Sequence, residues 1–172
     1  MTCYLGVDNG LGGAMCLIDA EGNIIDKILM PVIEVKKGKG QGTRRKYDAT
    51  GIAQWITTHS MLCKIALTAV EDIIAMPSQS SSSTISVGYG HGLIIGVLTA
   101  LRLPHIIVRP PVWQKIIFQN VQSGGDSKEK SIQFATQTKP LEDWKETPRC
   151  RGAFDGLTDS FAIAEYCRRQ AK

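Results

Sequence analysis

The sequence lacks the signatures of several protein classes. It has no CxxC pair, and its five cysteines are odd in number and widely scattered, so neither a zinc module nor a disulfide framework is indicated. No continuous apolar run reaches the roughly 18–20 residues that a membrane span needs. The N-terminus has no basic region followed by an apolar stretch, as a signal peptide would have. We therefore expect an intracellular, cytoplasmic protein.

Composition bounds the size and the partners of the chain. Its 172 residues, 43% hydrophobic and 21% charged, are enough for one substantial core. No internal repeat or linker stands out, so we predict a single domain over residues 1–172. The net charge of +4 and a pI near 8.8 are a mild argument for a polyanionic partner.

The positive charge is concentrated in a polar, Gly-rich segment, which we predict to be a flexible loop at about residues 34–46. Two interpretations remain open. The segment is either a solvated hairpin loop or connection, or a mobile arm that lies along phosphates and releases their counterions. Its basic residues are Lys36, Lys37, Lys39, Arg44, Arg45 and Lys46.

Apolar periodicity predicts an α/β fold. Short turns join the first three strands, which must therefore form an antiparallel meander, and later strands alternate with helices and add in parallel. We predict a mixed five-stranded sheet, with three antiparallel and two parallel strands, flanked by helices on both faces. The predicted strands are 3–8, 12–19, 24–30, 65–70 and 105–108, and the predicted helices are 47–59, 84–102, 112–118, one from 127 onward, and 154–169.

Four acidic residues stand where predicted strands or helices begin or end. Asp8 ends the first strand and Glu71 ends the fourth, while Asp155 and Asp159 are four residues apart and share one helix face. A carboxylate at the end of a buried strand is costly unless it is paired, hydrogen-bonded or metal-bound. If the four converge, Mg²⁺ or Mn²⁺ would relieve their repulsion with the oxygen ligands that these cations prefer.

Each acidic residue also has a purely structural explanation. Asp8 in Asp-Asn-Gly can cap a turn, and Glu71 can pair with a lysine. Asp155 and Asp159 can serve a helix N-terminus and a solvated face. Only their combination with the strand order favours a shared site.

Three segments resemble the RuvC-like Holliday junction resolvases. Residues 5–14, LGVDNGLGGA, resemble the first-strand motif of that family, and residues 69–72, AVED, resemble its fourth-strand glutamate. Residues 155–166, DGLTDSFAIAEY, resemble its C-terminal catalytic helix, especially in phage-type members. Bacterial members commonly space the last two acidic positions three apart rather than four, which makes Asp159 a safer assignment than Asp155.

The resemblance implies an RNase H-like nuclease domain in which Asp8, Glu71, Asp155 and Asp159 are catalytic and bind metal. Two Mg²⁺ ions roughly 3.5–4 Å apart would hold the scissile phosphate, activate a water and stabilise the leaving 3′-oxygen, and Mn²⁺ is expected to substitute. The implied partners are branched DNA, especially four-way junctions, and a second copy of the chain, because paired nicks need two sites. A phage- or virus-encoded member would act in the host cytoplasm.

Further residues are predicted to contact DNA. The resemblance suggests that Lys115 and Lys128 lie near the scissile phosphate and assist catalysis, although both also fit solvated surface lysines. The Ser-rich stretch before the second helix either donates hydrogen bonds to phosphates or bases, or only caps that helix. Beyond the basic loop, the predicted DNA-binding set is Ser80, Ser81, Ser82, Lys115, Lys128 and Lys130.

Three other features favour structural roles or stay open. Trp113 is better explained by core packing than by base stacking, and His91 by a structural role than by metal ligation. Glycines recur through the second predicted helix and lower its stability unless DNA, the sheet or a second subunit approaches closely. These glycines are Gly88, Gly90, Gly92 and Gly96.

Three other functions compete with junction cleavage. A sugar-kinase-like or actin-like ATPase needs a second nucleotide-binding half, for which this chain is too short. A non-catalytic junction-binding protein would keep the fold and the basic segment but not cleave. A nuclease of the same fold acting on forks, other branched DNA or RNA–DNA hybrids is the third, since substrate geometry depends on the dimer.

Overall fold

The structure is a computed structural model that describes residues 1–36, 38, 42–73, 80–122 and 125–171. Within these residues the elements are, in chain order, β1 (Thr2–Asp8), β2 (Ala14–Asp19), β3 (Ile24–Leu29), β4 (Val32–Lys36), β5 (Thr43–Tyr47), α1 (Ala49–Leu62), β6 (Lys64–Glu71), α2 (Ser81–Ala100), β7 (His105–Val108), α3 (Pro110–Ile117), α4 (Ser127–Thr138) and α5 (Asp155–Gln170).

The central sheet has the strand order β3-β2-β1-β6-β7. β1, β2 and β3 pair antiparallel, whereas β6 joins β1 and β7 joins β6 in parallel. The predicted mixed sheet of three antiparallel and two parallel strands is therefore confirmed. Helices cover both faces, which explains why every residue from Ala14 to Ile18 is buried rather than every second one.

Two hydrophobic cores lie on opposite faces of the sheet, because alternate strand residues point to opposite sides. One core contains Trp113 of α3, Phe134 of α4 and Phe161 of α5. The other contains Ile52 and Ile56 of α1 together with residues of α2. Cys3 and Cys16 are buried in these cores as small apolar residues, as predicted, and all five cysteines are free thiols.

Helix α5 packs directly on the central strand β1. A side chain at Gly6 would overlap the backbone of α5 at Ser160 and Ala164, so only glycine permits this approach. A Cβ at Gly156 would lie 2.5 Å from the Gly12 carbonyl oxygen. The first turn of α5 is thereby fixed beside the turn that follows β1.

The basic segment differs from its prediction. β4 and β5 form an antiparallel hairpin that pairs Val32 with Tyr47 and Lys36 with Thr43. A flexible loop at about 34–46 is therefore wrong for residues 34–36 and 43–46, because backbone pairing and the buried Tyr47 hold these polar residues as strands. Lys37 and Lys39 lie outside the described residues.

Helix α2 leaves much of its surface uncovered. Its buried residues are Gly90, Ile94 and Leu98, whereas Ile85 and Tyr89 are 72% and 59% exposed. Among the described residues, α2 is the one helix long and apolar enough to cross a membrane by length and composition alone. Its apolar residues are interrupted by serines and glycines, which is why no continuous apolar run marks it in the sequence.

The glycines of α2 serve different purposes. A side chain at Gly90 would overlap the Tyr47 ring, so this glycine allows α2 to approach the hairpin. A Cβ at Gly88, Gly92 or Gly96 would meet nothing within 4 Å. The reasons predicted from the sequence for these glycines were close approach to DNA, to the sheet or to a second subunit. Close approach to the sheet is wrong for Gly88, Gly92 and Gly96.

Candidate active site

The two central strands bring Asp8 and Glu71 to the same edge of the sheet. β1 and β6 are adjacent and parallel, and the last pair in their register is Val7 with Val70. Asp8 and Glu71 are the next residues, at the carboxyl ends of both strands. Asn9 confirms their proximity, because its side-chain nitrogen lies 2.6 Å from the Glu71 carbonyl oxygen.

The start of α5 adds two further carboxylates to this edge. Asp155 is the first residue of α5, and Asp159 follows one turn later on the same face. Gly156 between them abuts Gly12 and Gly13, so the helix begins next to the Asp8 turn. Because α5 begins at Asp155, Asp155 and Asp159 belong to the same helix and face the strand ends together.

Burial and mutual repulsion oppose the ionisation of three of these acids. Burial raises the pKa of Asp8 to about 6, with a further contribution from the charge of Asp155. It raises the pKa of Glu71 to about 8, helped by Asp8 and Asp159. It raises the pKa of Asp159 to about 7, helped by Asp8 and Asp155. Each acid is thus within electrostatic reach of others in the group.

Asp8 and Glu71 each have a hydrogen-bond donor. The Gly10 backbone N–H donates to Asp8 Oδ1 at 3.1 Å, so the turn-capping role considered for Asp8 is present. The indole N–H of Trp113 donates to Glu71 Oε1 at 2.9 Å. Trp113 is 1% exposed, so the prediction of core packing is confirmed, and the same side chain also orients Glu71. Neither contact occupies the whole carboxylate.

Helix α4 supplies the partners of the α5 carboxylates. Lys128 Nζ lies 2.5 Å from Asp155 Oδ2, and this ion pair raises the pKa of Lys128. Ser131, fully buried, hydrogen-bonds to the side chain of Thr158 at 3.0 Å and also to the carboxylate of Asp159. The Lys128 side chain is 67% exposed and therefore free to turn towards a phosphate.

The donor set has the chemistry of a Mg²⁺ or Mn²⁺ site. Within the described ranges, no three His, Cys, Asp or Glu side chains are already arranged as ligands around one point. The negative charges of the carboxylates instead raise one another's pKa. Asp155 forms an ion pair with the Lys128 ammonium. Both observations are expected where negative charges cluster. Hard oxygen donors under mutual repulsion fit a divalent cation. The metal assignment of Asp8, Glu71, Asp155 and Asp159 stays a prediction.

The predicted DNA-binding residues lie on several surfaces. Ser80 caps α2 by accepting from the Ser83 N–H at 3.2 Å, so the capping alternative holds for this serine. Lys115 is exposed and, in the described part of the chain, makes no hydrogen bond or ion pair with the carboxylates. Lys130 is half-buried. The other exposed members are Ser81, Ser82, Lys36, Arg44, Arg45, Lys46 and Lys128.

Strand alternation divides the basic residues of β5 between two faces. Arg45 donates to the Leu11 carbonyl oxygen at 2.7 Å and Tyr47 donates to the Asn9 carbonyl oxygen at 2.8 Å, so both face the turn after β1. Arg44 and Lys46 occupy the alternate positions and are exposed on the other face. The hairpin thus holds Arg45 against the turn after β1 and leaves Arg44 and Lys46 exposed to solvent on its opposite face.

Sequence reasoning missed several residues around the site. Asn9 was taken only as part of a turn, and nothing in the pattern marked Ser131 or Tyr47. A loop between Trp144 and Phe154, whose backbones hydrogen-bond at 2.7 Å, precedes α5 and was not considered for DNA contact. Its charge run was the available signal, and its exposed cations are Lys145, Arg149 and Arg151.

Known structures resemble this one, although no family model and no curated protein matches the sequence. RuvC of Thermus thermophilus in complex with a Holliday junction substrate has a TM-score of 0.61 at 16% identity, over 98% of this chain and 96% of that one. A second T. thermophilus RuvC structure has a TM-score of 0.54 at 16% identity over the same shares. The yeast mitochondrial Holliday junction resolvase has a TM-score of 0.55 at 15% identity, over 97% of this chain and 78% of that one. The chain has the RNase H-like fold of the RuvC-type Holliday junction resolvases.

Proposed function

We propose that this protein is a structure-selective DNA endonuclease that resolves four-way junctions by paired nicks, through two-metal phosphodiester hydrolysis. The observation that carries the proposal is the position of Asp8 and Glu71 at the ends of adjacent parallel strands, with Asp155 and Asp159 of α5 beside them. The fold shared with RuvC, whose structure holds a Holliday junction, supports the choice of substrate.

Different residues of the chain bind metal, orient the metal ligands and stabilise charge on the phosphate. Asp8, Glu71 and Asp159 supply oxygen ligands from three elements, and Trp113 and Ser131 hold two of these carboxylates in orientation. Bound Mg²⁺, or Mn²⁺ in its place, would polarise the phosphate and lower the pKa of an attacking water. Lys128 leaves Asp155 for the negative charge that develops on the phosphate.

DNA binding rests on the cations of the β4–β5 hairpin, α3 and α4. Arg44 and Lys46 on the outer face of the hairpin contact backbone phosphates, which gives affinity without base specificity. Lys128, which pairs with Asp155, is the nearest further phosphate contact that we expect, and Lys115 and Lys130 are the others. Branched DNA thereby brings one phosphate to the acidic edge while its arms lie on the cations.

A homodimer would supply the second active site that paired nicks require. The uncovered face of α2 supports this interface, because Ile85 and Tyr89 are exposed and the glycines at positions 88, 92 and 96 leave room for a second helix. We expect Gly92→Arg to lower the mass measured by analytical ultracentrifugation from dimer to monomer. Lys64→Arg, at an exposed site on β6, is the matched control. A wild-type protein that sediments as a monomer at all concentrations would contradict the dimer.

The proposed substrate is tested with labelled synthetic DNA. Four-way junctions, forks, linear duplex and RNA–DNA hybrid are incubated with the protein and Mg²⁺ or Mn²⁺. We expect symmetric nicks in the four-way junction and little cleavage of linear duplex. Preferred cleavage of forks or hybrids would mean that the protein is a nuclease of this fold with a substrate other than the four-way junction. Tight junction binding with no cleavage under either metal would instead favour a non-catalytic binding protein.

A further inference from the structure

A buried hydrogen-bond network holds the turn that follows β1. Asn9 is 4% exposed, and its side-chain nitrogen lies 2.6 Å from the Glu71 carbonyl oxygen and 2.8 Å from His91 Nδ1. The Tyr47 hydroxyl donates to the Asn9 carbonyl oxygen at 2.8 Å. We call Asn9, His91 and Tyr47 the turn clamp. The clamp joins the end of β1 to three other elements, β6, α2 and β5.

The chemistry of the clamp fixes the orientation of the Asn9 amide. The side-chain nitrogen of asparagine carries two hydrogens and accepts none, so its two contacts use both of its donors. His91 Nδ1 must then accept, which leaves the ring proton on Nε2. An aspartate at position 9 has no donor for the Glu71 carbonyl. Burial raises the pKa of Tyr47 to about 12, so its hydroxyl stays protonated and remains a donor.

The clamp acts where sheet pairing stops. The β1–β6 register ends with Val7 and Val70, one residue before the two acidic side chains. Beyond that pair, the bond from Asn9 to the Glu71 carbonyl continues the connection between the strand ends. This bond therefore limits the separation of the backbones that carry Asp8 and Glu71, whose like charges repel.

We propose that Asn9 is a positioning residue that sets the spacing of Asp8 and Glu71, and that His91 orients its amide for this purpose. The inference deepens the proposed function, because that spacing controls the affinity of the acidic edge for a divalent cation. Groups that orient ligands in this way commonly change metal affinity by about 10- to 100-fold when they are removed.

The test measures Mn²⁺ binding to the DNA-free protein by calorimetry. Asn9→Ala and His91→Leu should each weaken Mn²⁺ binding about tenfold or more. His91→Gln retains an acceptor for the Asn9 amide and should stay within about threefold of wild type. Circular dichroism and thermal melts identify the folded variants. Wild-type Mn²⁺ affinity in folded Asn9→Ala would overturn the proposal.

The two His91 variants decide the question if Asn9→Ala does not fold. A role limited to stability predicts equal Mn²⁺ affinity in His91→Leu and His91→Gln, and that result would overturn the clamp. Positioning predicts that His91→Leu binds Mn²⁺ about tenfold more weakly than His91→Gln.

Cleavage kinetics separate this inference from the proposed function. In Asn9→Ala, the Mn²⁺ concentration for half-maximal cleavage should rise about tenfold, while the KM for the four-way junction stays unchanged. If the wild-type protein cuts no branched DNA, the proposed function fails, and the calorimetric affinities still test the clamp by themselves. A raised junction KM with unchanged metal dependence would contradict positioning by Asn9.

Discussion

The acidic strand ends and the basic β4–β5 hairpin differ in how their side chains are held. Asp8, Glu71 and Asp159 are partly buried, and each accepts a hydrogen bond from a neighbouring group. Arg44 and Lys46 of the hairpin are exposed. The difference fits two tasks. Metal ligands require fixed geometry, whereas phosphate contacts depend mainly on charge and tolerate adjustment.

The largest expected effect comes from removing a carboxylate. Asp8→Asn and Glu71→Gln should each reduce junction cleavage by roughly 10³-fold or more, because neutral amides are poor ligands for a hard cation. Both variants should still bind junctions in a gel-shift assay, since the hairpin is unchanged. Cleavage is measured on a labelled four-way junction with Mg²⁺.

Asp72→Asn provides the matched control for this prediction. Asp72 follows Glu71 directly but lies 3.6 Å from Arg109, so it belongs to a different ion pair. Its replacement should leave cleavage within about threefold of wild type, because the side chain of its ion-pair partner Arg109 is 75% exposed and such pairs contribute little. If Asp72→Asn and Glu71→Gln reduce cleavage equally, Glu71 has no specific role in catalysis.

The hairpin should affect binding rather than chemistry. Replacing Arg44 and Lys46 together by Ala should weaken junction binding about tenfold at moderate salt and reduce the salt slope by about one to two. The cleavage rate at saturating protein should change little. The measurement is junction affinity by fluorescence anisotropy over a salt series.

Arg45→Ala tests whether the two faces of β5 differ in their contribution to DNA binding. Arg45 faces the turn and donates to the Leu11 carbonyl oxygen. Its loss should reduce the salt slope less than the Arg44 and Lys46 change does. If replacing Arg44 and Lys46 together leaves the salt dependence of junction binding unchanged, the hairpin is a solvated surface that takes no part in DNA binding.

The last expected effect concerns the stability of the metal-free protein as a function of pH. The folded-state pKa values of Asp8, Asp159 and Glu71, about 6 to 8, lie above their ordinary values near 4, so the folded state holds protons more tightly than the unfolded state. Stability is therefore greatest below about pH 4 as far as these groups are concerned, and falls as pH rises to about 8, most steeply between about pH 5 and 6, where all three groups differ in protonation between the folded and unfolded states. Thermal melts with EDTA measure this fall.

Two variants define that pH prediction. Asp159→Asn should flatten the fall between pH 5 and 8, because one opposed ionisation is removed. At Asp19, burial opposes ionisation, but hydrogen bonds from Asn23 and Glu21 outweigh it and lower the pKa. Asp19→Asn should therefore leave the slope in this window unchanged. Added Mn²⁺ should restore stability at pH 8 in the wild type. A rise of stability from pH 5 to 8 without metal would contradict the account.

The central sheet and the acidic positions were accessible from sequence because each depends on a local pattern. Apolar runs located the strands, and the position of an acid directly after such a run located Asp8 and Glu71. A four-residue spacing on the last predicted helix located Asp155 and Asp159, and the motif resemblance then grouped all four acids in one site. The order of elements also predicted that the later strands add in parallel, and the structure shows that β6 pairs with β1, which brings the first two acids to one edge.

The hairpin and the turn clamp were not accessible in this way. The sequence of β5, TRRKY, is nearly all polar, and only pairing with β4 and burial of Tyr47 make it a strand. Asn9 and His91 are 82 residues apart, so their contact depends on how α2 crosses the sheet. The Lys128–Asp155 pair likewise requires α4 to pack on α5. Such contacts arise from tertiary packing and leave no periodic signal.

Anomalous diffraction from crystals soaked in Mn²⁺ tests most directly whether the carboxylates share cations. We expect anomalous peaks within ligand distance of Asp8, Glu71 and Asp159, and we expect these peaks to disappear in Asp8→Asn crystals soaked in the same way. Peaks located away from these three side chains, or unchanged peaks in Asp8→Asn, would contradict it.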